Sequence, residues 1–113
     1  MKKKLETYND GFVNVYRKKK ENMTANRNIT SLSELDCIIR LAYSEMSRRQ
    51  QDIEFADQNS FSLSLKIKTP KPLTGKNIDT SCYAVIGDTL YAIQYIDTNT
   101  SEYFFYLEKV RAM

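Results

Sequence analysis

The 113-residue chain contains no histidine and no tryptophan, and it has only two cysteines, Cys37 and Cys82. Histidine is the commonest general base and a usual zinc ligand, and two isolated cysteines cannot complete a four-ligand zinc site. The three glycines, Gly11, Gly75 and Gly87, are far apart in the sequence, so no glycine-rich loop is available to cradle a phosphate. The sequence therefore predicts a protein that is not an enzyme and holds no cofactor and no metal.

Carboxylates remain as potential acids and bases, and their densest group is Asp52, Glu54 and Asp57. On a helix, Asp52 and Glu54 point to different faces, whereas Arg48 and Asp52 have the i,i+4 spacing of an ion pair. This pattern favours a solvated helix face over a catalytic pair.

Long apolar runs are also missing. No stretch approaches the roughly 20 apolar residues that a membrane span requires, and no apolar run follows the basic start. We therefore expect no membrane segment and no signal peptide, a cytoplasmic site of synthesis, and two reduced, buried thiols. Hydrophobic residues make up 42% and charged residues 27% of the chain, which together with its length predicts one globular domain over residues 1–113.

The net charge of +3 is unevenly distributed. The first 20 residues carry seven basic and two acidic side chains, a net of +5, so the other 93 residues sum to −2. The basic residues are Lys2, Lys3, Lys4, Arg17, Lys18, Lys19 and Lys20. We interpret residues 1–10 as a basic tail and residues 18–33 as a long polar loop. Such a segment can attract nucleic acid or an acidic protein ring, or it can be a solvated surface.

Period-two alternation is the clearest structural signal. Asn9-Asp10-Gly11 is a turn signal, and Gly87-Asp88 is typical of a type II′ hairpin. In the stretch 61–69, apolar residues alternate with Ser and Lys, which predicts a half-buried strand with one wet face. Strands are predicted over 12–16, 61–69, 82–86, 89–96 and 103–111.

The stretch 32–46 is ambiguous. Residues 31–34 fit a helix capping box, and a helical apolar stripe follows them. Yet Leu35, Cys37, Ile39, Leu41 and Tyr43 alternate as a strand does, and periodicity does not decide between the two. A second capping box at residues 47–50 predicts a short helix over 48–59.

The predicted fold class is mostly β: a small antiparallel barrel or sandwich of about five to six strands, with one short helix or loop insertion. Eight tyrosines and five phenylalanines are many for this length. Interleaved with basic residues, they could stack on single-stranded nucleic acid, or they could fill the core and the seams between subunits. Tyr91, Ile93 and Tyr95 are predicted to share one strand face, a pattern typical of core or interface.

The order of segments resembles the head-closure proteins, also called head–tail joining or adaptor proteins, of long-tailed bacteriophages. The resemblance covers residues 35–110 and rests on the segments Ile39–Tyr43, Ser47–Gln58, Phe61–Thr69, Ala84–Ile96 and Tyr103–Glu108. One departure is visible: the family often has Glu and a small aromatic cluster where this chain has Arg48, Arg49 and Gln50.

The resemblance implies that residues 35–46 are mainly strand and that the protein forms a ring, dodecameric or hexameric, when docked. Its implied neighbours are a portal or connector protein above, a tail-completion protein below, and packaged DNA contacted without sequence specificity; no membrane and no small molecule is implied. The protein would be made in the bacterial host cytoplasm and reside in the virion neck. A small basic nucleic-acid-binding β-barrel is the alternative function.

In relatives, the segment between the second strand and the alternating strand acts as the channel stopper, which corresponds here to residues 47–60. Because this segment is polar, we expect few apolar anchors and a low cost of conformational change. The candidates that close the channel or face DNA are Ser47, Arg48, Arg49, Gln50, Gln51, Asp52, Glu54 and Asp57. The arginines could form a cationic collar around DNA, or the acids could pair with a neighbour's arginines. The candidates for contact with the connector are Lys2, Lys3, Lys4, Arg17, Lys18, Lys19 and Lys20.

Overall fold

The computed structural model describes residues 8–18, 35–72 and 78–112, which fold into six strands and one helix. The elements are β1 (Gly11–Lys18), β2 (Leu35–Met46), α1 (Gln50–Gln58), β3 (Leu65–Pro70), β4 (Tyr83–Ile86), β5 (Thr89–Thr98) and β6 (Glu102–Ala112). The strands are antiparallel and close into a barrel in the order β1-β2-β3-β6-β5-β4. The predicted fold class is therefore confirmed. Most of the basic tail and of the long polar loop lies outside the described residues.

The barrel interior is filled by alternate residues of each strand, as the pleat requires. On β6, Phe105 and Leu107 point inward and are fully buried. They meet Val13, Val15, Leu41, Tyr43, Ile67, Cys82, Ala84 and Ile93 in one core cluster. Each such large apolar side chain contributes about 1.5–3 kcal/mol on burial. The inward-facing residues of all six strands thus form the core of the barrel.

The hairpin between β4 and β5 is the one that its turn residues predict. Ile86 pairs with Thr89 across Gly87-Asp88, and Gly87 has a φ of 60°. Among the described non-glycine residues only Ser60 has a positive φ, so Asp88 does not. A positive φ at the first central position alone defines the type II′ turn, whose twist matches that of the flanking strands.

Residues 35–46 form strand throughout, which settles the ambiguity between helix and strand. Residues 35–43 pair with β1 and residues 44–46 pair with β3. The register with β1 shifts at one point, because Val15 faces Ile39 whereas Tyr16 faces Cys37. This shift places an extra residue in β2 and breaks the strict alternation there. Tertiary pairing, and not the local capping signal, decides the conformation.

Strand β5 contains a second irregularity, which corrects a prediction. Ile93 pairs with Leu107 and Tyr95 pairs with Tyr106, so Gln94 is an extra residue in the ladder. Ile93 therefore points into the core, whereas Tyr95 is 40% exposed and lies on the outer wall. The prediction that Tyr91, Ile93 and Tyr95 share one face is wrong beyond Ile93, because a bulge reverses the side on which later residues point.

The alternating segment 61–69 also differs from its prediction. The strand begins only at Leu65, and Phe61 and Leu63 are buried ahead of it. Lys66, assigned to the wet face, is only 4% exposed, because α1 covers that part of the wall.

The two thiols are in different environments. Cys82 is buried, but Cys37 is exposed, so the prediction that both are buried is wrong for Cys37. Both cysteines are free.

A buried hydroxyl in the core gives a testable prediction. Thr69 is fully buried, and its Oγ1 makes no hydrogen bond in the described part of the structure. Because an unmade hydrogen bond leaves the desolvation cost of the hydroxyl uncompensated, Thr69→Val should raise the free energy of unfolding by about 1 kcal/mol. Urea denaturation measures this. Destabilisation by the substitution would mean that the hydroxyl has a partner.

Candidate functional site

The segment that the resemblance marks as a channel stopper, residues 47–60, is centred on α1, which lies against the outer wall of the barrel. One side of the helix is apolar: Ala56 is 1% exposed, and the Phe55 ring lies 4.7 Å from that of Tyr95 and 5.8 Å from that of Tyr106. We call this contact the helix seat; it consists of Phe55, Ala56, Phe61, Leu63, Phe104 and Tyr106. The expectation of a segment with few apolar anchors is therefore wrong.

A buried ion pair fixes the helix in its seat. Lys66 Nζ lies 3.2 Å from Asp52 Oδ1 and 3.3 Å from Oδ2, and Tyr106 donates its hydroxyl hydrogen to Oδ1 at 3.3 Å. The side chains of Asp52 and Lys66 are 6% and 5% exposed. The Lys66 ammonium also lies 4.9 Å from the centre of the Tyr106 ring. Helix and wall are thus joined by a charge pair whose members are both removed from water.

The protonation equilibria of this group follow from its contacts. Burial by itself would raise the pKa of Asp52, but the hydrogen bond from the Arg49 N–H and the bond and charge of Lys66 outweigh it and hold that pKa below its usual value. Burial raises the pKa of the Tyr106 hydroxyl, which therefore stays protonated and donates. The ionised Asp52 carboxylate accepts hydrogen bonds from the Arg49 N–H, the Lys66 ammonium and the Tyr106 hydroxyl.

Two sequence-based interpretations of Asp52 are corrected by this geometry. Asp52 is 5% exposed and faces the barrel wall, so the interpretation that it belongs to a solvated helix face is wrong. The expected i,i+4 pair with Arg48 is not formed: Arg48 Nη1 donates to the backbone oxygen of Leu63 at 3.1 Å, and Arg49 Nε lies 3.7 Å from Asp52 Oδ2. Lys66 and Tyr106, the partners of Asp52, were missed, because in sequence Lys66 has the pattern of a solvated residue.

The helix begins two residues later than its capping signal indicates. The N-cap is Arg49 and not Ser47, and the Arg49 N–H donates to Asp52 Oδ2 at 3.0 Å. An arginine side chain has no acceptor, so only this reverse half of a capping box contributes to the cap. Asp52 therefore caps the helix and anchors it to the wall with the same carboxylate.

The end of the helix is a Schellman motif. Phe61 N–H donates to Ala56 O at 3.0 Å, and Ser60 N–H donates to Asp57 O at 3.2 Å. The accompanying apolar contact is the edge-on pair of Phe55 and Phe61, with ring centres 6.2 Å apart. This motif requires a left-handed residue, and that residue is Ser60, with a φ of 62°.

Ser60→Gly should therefore stabilise the protein by about 0.5–1 kcal/mol, because glycine adopts a positive φ without the steric cost that serine bears. Asn59→Gly is the control: Asn59 has a φ of −104° and donates through Nδ2 to Phe55 O, so its replacement should destabilise. Thermal or urea unfolding gives both values. Equal changes at the two positions would contradict the argument.

The outward face of the segment carries separated charges. Ser47, Arg48, Arg49, Gln50, Gln51, Glu54 and Asp57 are all exposed. Gln50 Nε2 donates to Glu54 Oε1 at 3.4 Å, and Ile53, 41% exposed, lies among these polar side chains. The arginines stand at the N-terminal end of α1 and Asp57 stands in its last turn, which is the reverse of what the helix dipole favours.

The candidates for contact with a connector are only partly described. Arg17 and Lys18, at the end of β1, are half-buried. They line a cavity of about 290 Å³ with Thr80, Ser81, Cys82, Tyr83, Ala92, Ile93 and Gln94. Lys2, Lys3, Lys4, Lys19 and Lys20 lie outside the described residues.

The stability of the fold should depend on pH through Asp52. Its pKa in the folded protein is below the unfolded value of about 3.9, so its stabilising contribution is complete above that value and is lost as the pH falls through the folded pKa. The difference in unfolding free energy between the wild type and Asp52→Asn should be constant near neutral pH and shrink below about pH 4. Denaturant titrations from pH 7 to pH 2 measure it. A difference that grows on acidification would contradict this assignment.

The fold and this surface define a mostly β closed barrel with one helix seated on its wall. The chain matches no protein-family model, no curated protein and no solved structure. Within the described ranges, no helix is both long enough and apolar enough to cross a membrane.

Proposed function

We propose that this protein is a structural component of the phage neck, which closes the DNA exit channel after packaging and joins head to tail. It acts as a homo-oligomeric ring in which the outward face of α1 lines or seals the channel. The observation that carries this proposal is the arrangement of that face: charges placed against the helix dipole on a helix whose other side is firmly anchored.

The position of the arginines supports an intermolecular role. Arg48 and Arg49 are exposed just before α1, where the helix dipole is positive and disfavours a cation. Arg48 bonds to Leu63 O and Arg49 lies near Asp52, but both arginines still break the charge preference of a helix start, and residues that break a local rule tend to mark functional positions. In a ring, repetition of this pair would form a cationic collar, which attracts the DNA backbone without reading its sequence.

The acidic end of the same face supports ring formation. Glu54 and Asp57 are exposed, and within one chain Glu54 accepts only the weak bond from Gln50 among its described hydrogen bonds. A face with cations at one end and anions at the other can pair with its own copy in the next subunit of a ring. Connector protein above and tail-completion protein below are the proposed neighbours of such a ring, with the virion neck as its location.

A stop codon in this gene in its phage tests the proposal. Electron microscopy of the lysate should show separate tails beside emptied heads, and supply of the protein from a plasmid should restore intact particles. Normal infectious particles from the stop-codon phage would reject the neck role.

A second function, nucleic-acid binding by the isolated barrel, is supported by one row of contacts. Lys68 Nζ lies 6.0 Å from the ring centre of Tyr8, and Lys71 Nζ lies 5.8 Å from that of Tyr103, so two basic groups lie beside aromatic rings. However, Lys68 Nζ lies 4.0 Å from Glu102 Oε2, and Lys66 is buried against Asp52. These two carboxylates reduce the positive charge that the phosphates of a nucleic acid would contact. Binding of single-stranded DNA by the isolated protein, steeply weakened by salt, would favour this function.

A further inference from the structure

One flank of α1 presents a cation, an apolar side chain and an anion in a row. Arg49, Ile53 and Asp57 follow one another at four-residue intervals, so their side chains lie on the same side of the helix. The Arg49 side chain is 66% exposed, Ile53 is 41% exposed, and Asp57 is exposed. We call these three residues the α1 row. Its two charges stand about 6 Å along the helix axis on either side of Ile53.

The charges of the α1 row are only weakly engaged within their own chain. In the described part of the structure, the Asp57 carboxylate makes no hydrogen bond and no ion pair, although the Asp57 backbone oxygen accepts from the Ser60 N–H. Arg49 Nε lies 3.7 Å from Asp52 Oδ2, which is longer than a hydrogen bond. A guanidinium has five N–H donors, so Arg49 can still bind a second carboxylate.

The helix dipole indicates which surface fits the α1 row. The dipole is positive at Arg49 and negative at Asp57, so each charge stands at the end of its own helix that disfavours it. A second α1 that lies antiparallel brings its C-terminal end beside Arg49 and its N-terminal end beside Asp57. Each charge is then next to the dipole end of opposite sign. A parallel α1 would instead place like charges together, so the row matches an antiparallel copy of itself.

We propose that the α1 row binds a second copy of this chain, with the two α1 helices antiparallel about a two-fold axis at Ile53. Arg49 of each copy pairs with Asp57 of the other, and the two Ile53 side chains meet on the axis, as a self-complementary contact requires. The inference goes beyond the proposed function, because it concerns the free protein. A two-fold contact closes at two subunits and cannot extend around a ring, so this dimer separates when a ring forms.

The size of the contact sets its strength. Two nine-residue helices that touch along one row cover far less than the roughly 1,200–2,000 Å² of a standard interface. We therefore expect a weak dimer, with a dissociation constant on the order of 0.1 mM. Because two of the three contacts are ion pairs between exposed groups, salt should weaken the association.

Sedimentation equilibrium of the full chain between about 20 µM and about 1 mM tests the proposal. The weight-average mass should rise with concentration from 13.2 kDa towards twice that value, and the rise should be smaller at high salt. A mass that stays at one chain up to the highest concentration, or assembly beyond two chains, would overturn the proposal.

Charge reversal tests the antiparallel register. Asp57→Arg places two arginines together across the axis, and Arg49→Glu places two acids together, so each variant alone should dimerise at least about tenfold more weakly. A mixture of the two variants should form dimers with one copy of each, because both pairs are then attractive. Asp88→Arg makes the same charge change in the exposed β4–β5 turn and is the matched control, which should dimerise as the wild type does.

Undiminished dimerisation of Asp57→Arg would reject the proposed register, and so would a mixture that stays monomeric although both variants are folded. Because Arg49 lies near Asp52, urea unfolding checks that Arg49→Glu is folded, and Asp57→Arg alone decides if it is not. Since sedimentation uses no phage component, its failure leaves the neck function standing, and failure of the stop-codon experiment leaves the dimer unaffected.

Discussion

Asp52→Asn should lower the free energy of unfolding by about 3 kcal/mol, because it leaves the Lys66 ammonium buried without a counter-charge. The lower end of the usual range for a broken buried pair is expected, since the amide oxygen of asparagine can still accept from Lys66 or from the Tyr106 hydroxyl. Urea denaturation with linear extrapolation measures the change. Glu54→Gln neutralises an exposed carboxylate on the same helix and should change stability by less than about 0.5 kcal/mol.

The double variant Asp52→Asn with Lys66→Met removes the whole ion pair. Its free energy of unfolding shows how much of the loss in the single variant comes from a buried charge left without a partner. Methionine fills the space of the lysine stem without a charge, and removal of a whole buried pair is often neutral. The double variant should therefore recover to within about 1 kcal/mol of the wild type. If its loss equals the sum of the two single losses, the two residues are not coupled, and the ion pair is not what anchors α1.

Arg48→Gln with Arg49→Gln should give phage heads that assemble and package but lose most of their DNA. In the proposed ring, the collar would then lack the charges that attract the DNA backbone at the channel exit. Because Arg48 also donates to Leu63 O, part of any effect could come from a weakened helix seat. The matched control is Arg48→Lys with Arg49→Lys, which keeps both charges and should retain DNA. The measurement is the fraction of DNA-filled heads by electron microscopy, alongside the unfolding free energy of each purified variant.

A third pair of substitutions distinguishes the two ways in which the charged face could act. Glu54→Gln with Asp57→Asn leaves the arginines in place and removes the anions that would pair with a neighbour. Normal DNA retention in this variant, with loss in the glutamine variant of the arginines, supports the collar. Loss in both supports pairing between subunits. Normal DNA retention in both variants would reject the placement of α1 in the channel.

The sequence predicted those parts of the fold that local composition and turn chemistry specify. The aromatic-rich stretch 103–111 predicted β6, and the Gly87-Asp88 turn predicted the hairpin of β4 and β5, because strand propensity and turn chemistry are local properties. Tyr95 was misplaced because a single extra residue, Gln94, reverses the face, and no local signal marks where a bulge occurs. The stretch 35–46 was ambiguous because its pattern fits both periods until its pairing partners are known.

The candidate site was predicted less well, for a related reason. Asp52 and Lys66 are charged, and charged residues are almost never buried unless they are paired. Their pairing depends on how α1 lies across β3, a tertiary fact that spacing along the chain does not contain. The exposed members of the segment, Arg48, Arg49, Glu54 and Asp57, were placed on the surface as expected because each occupies a polar position that nothing covers.

The pairing of β1 with β4 bears on how the chain reaches its final form. Asn14 and Val85 face each other although roughly 70 residues separate them, so this contact closes a long loop at a high entropic cost. Folding dominated by such distant contacts is slow. On the ribosome, β1 emerges before β4, and until β4 follows, Val13 and Val15 lack part of the shell that buries them. The edge of β1 that pairs with β4 is unpaired during that time, so we expect the nascent chain to be prone to aggregation through β1.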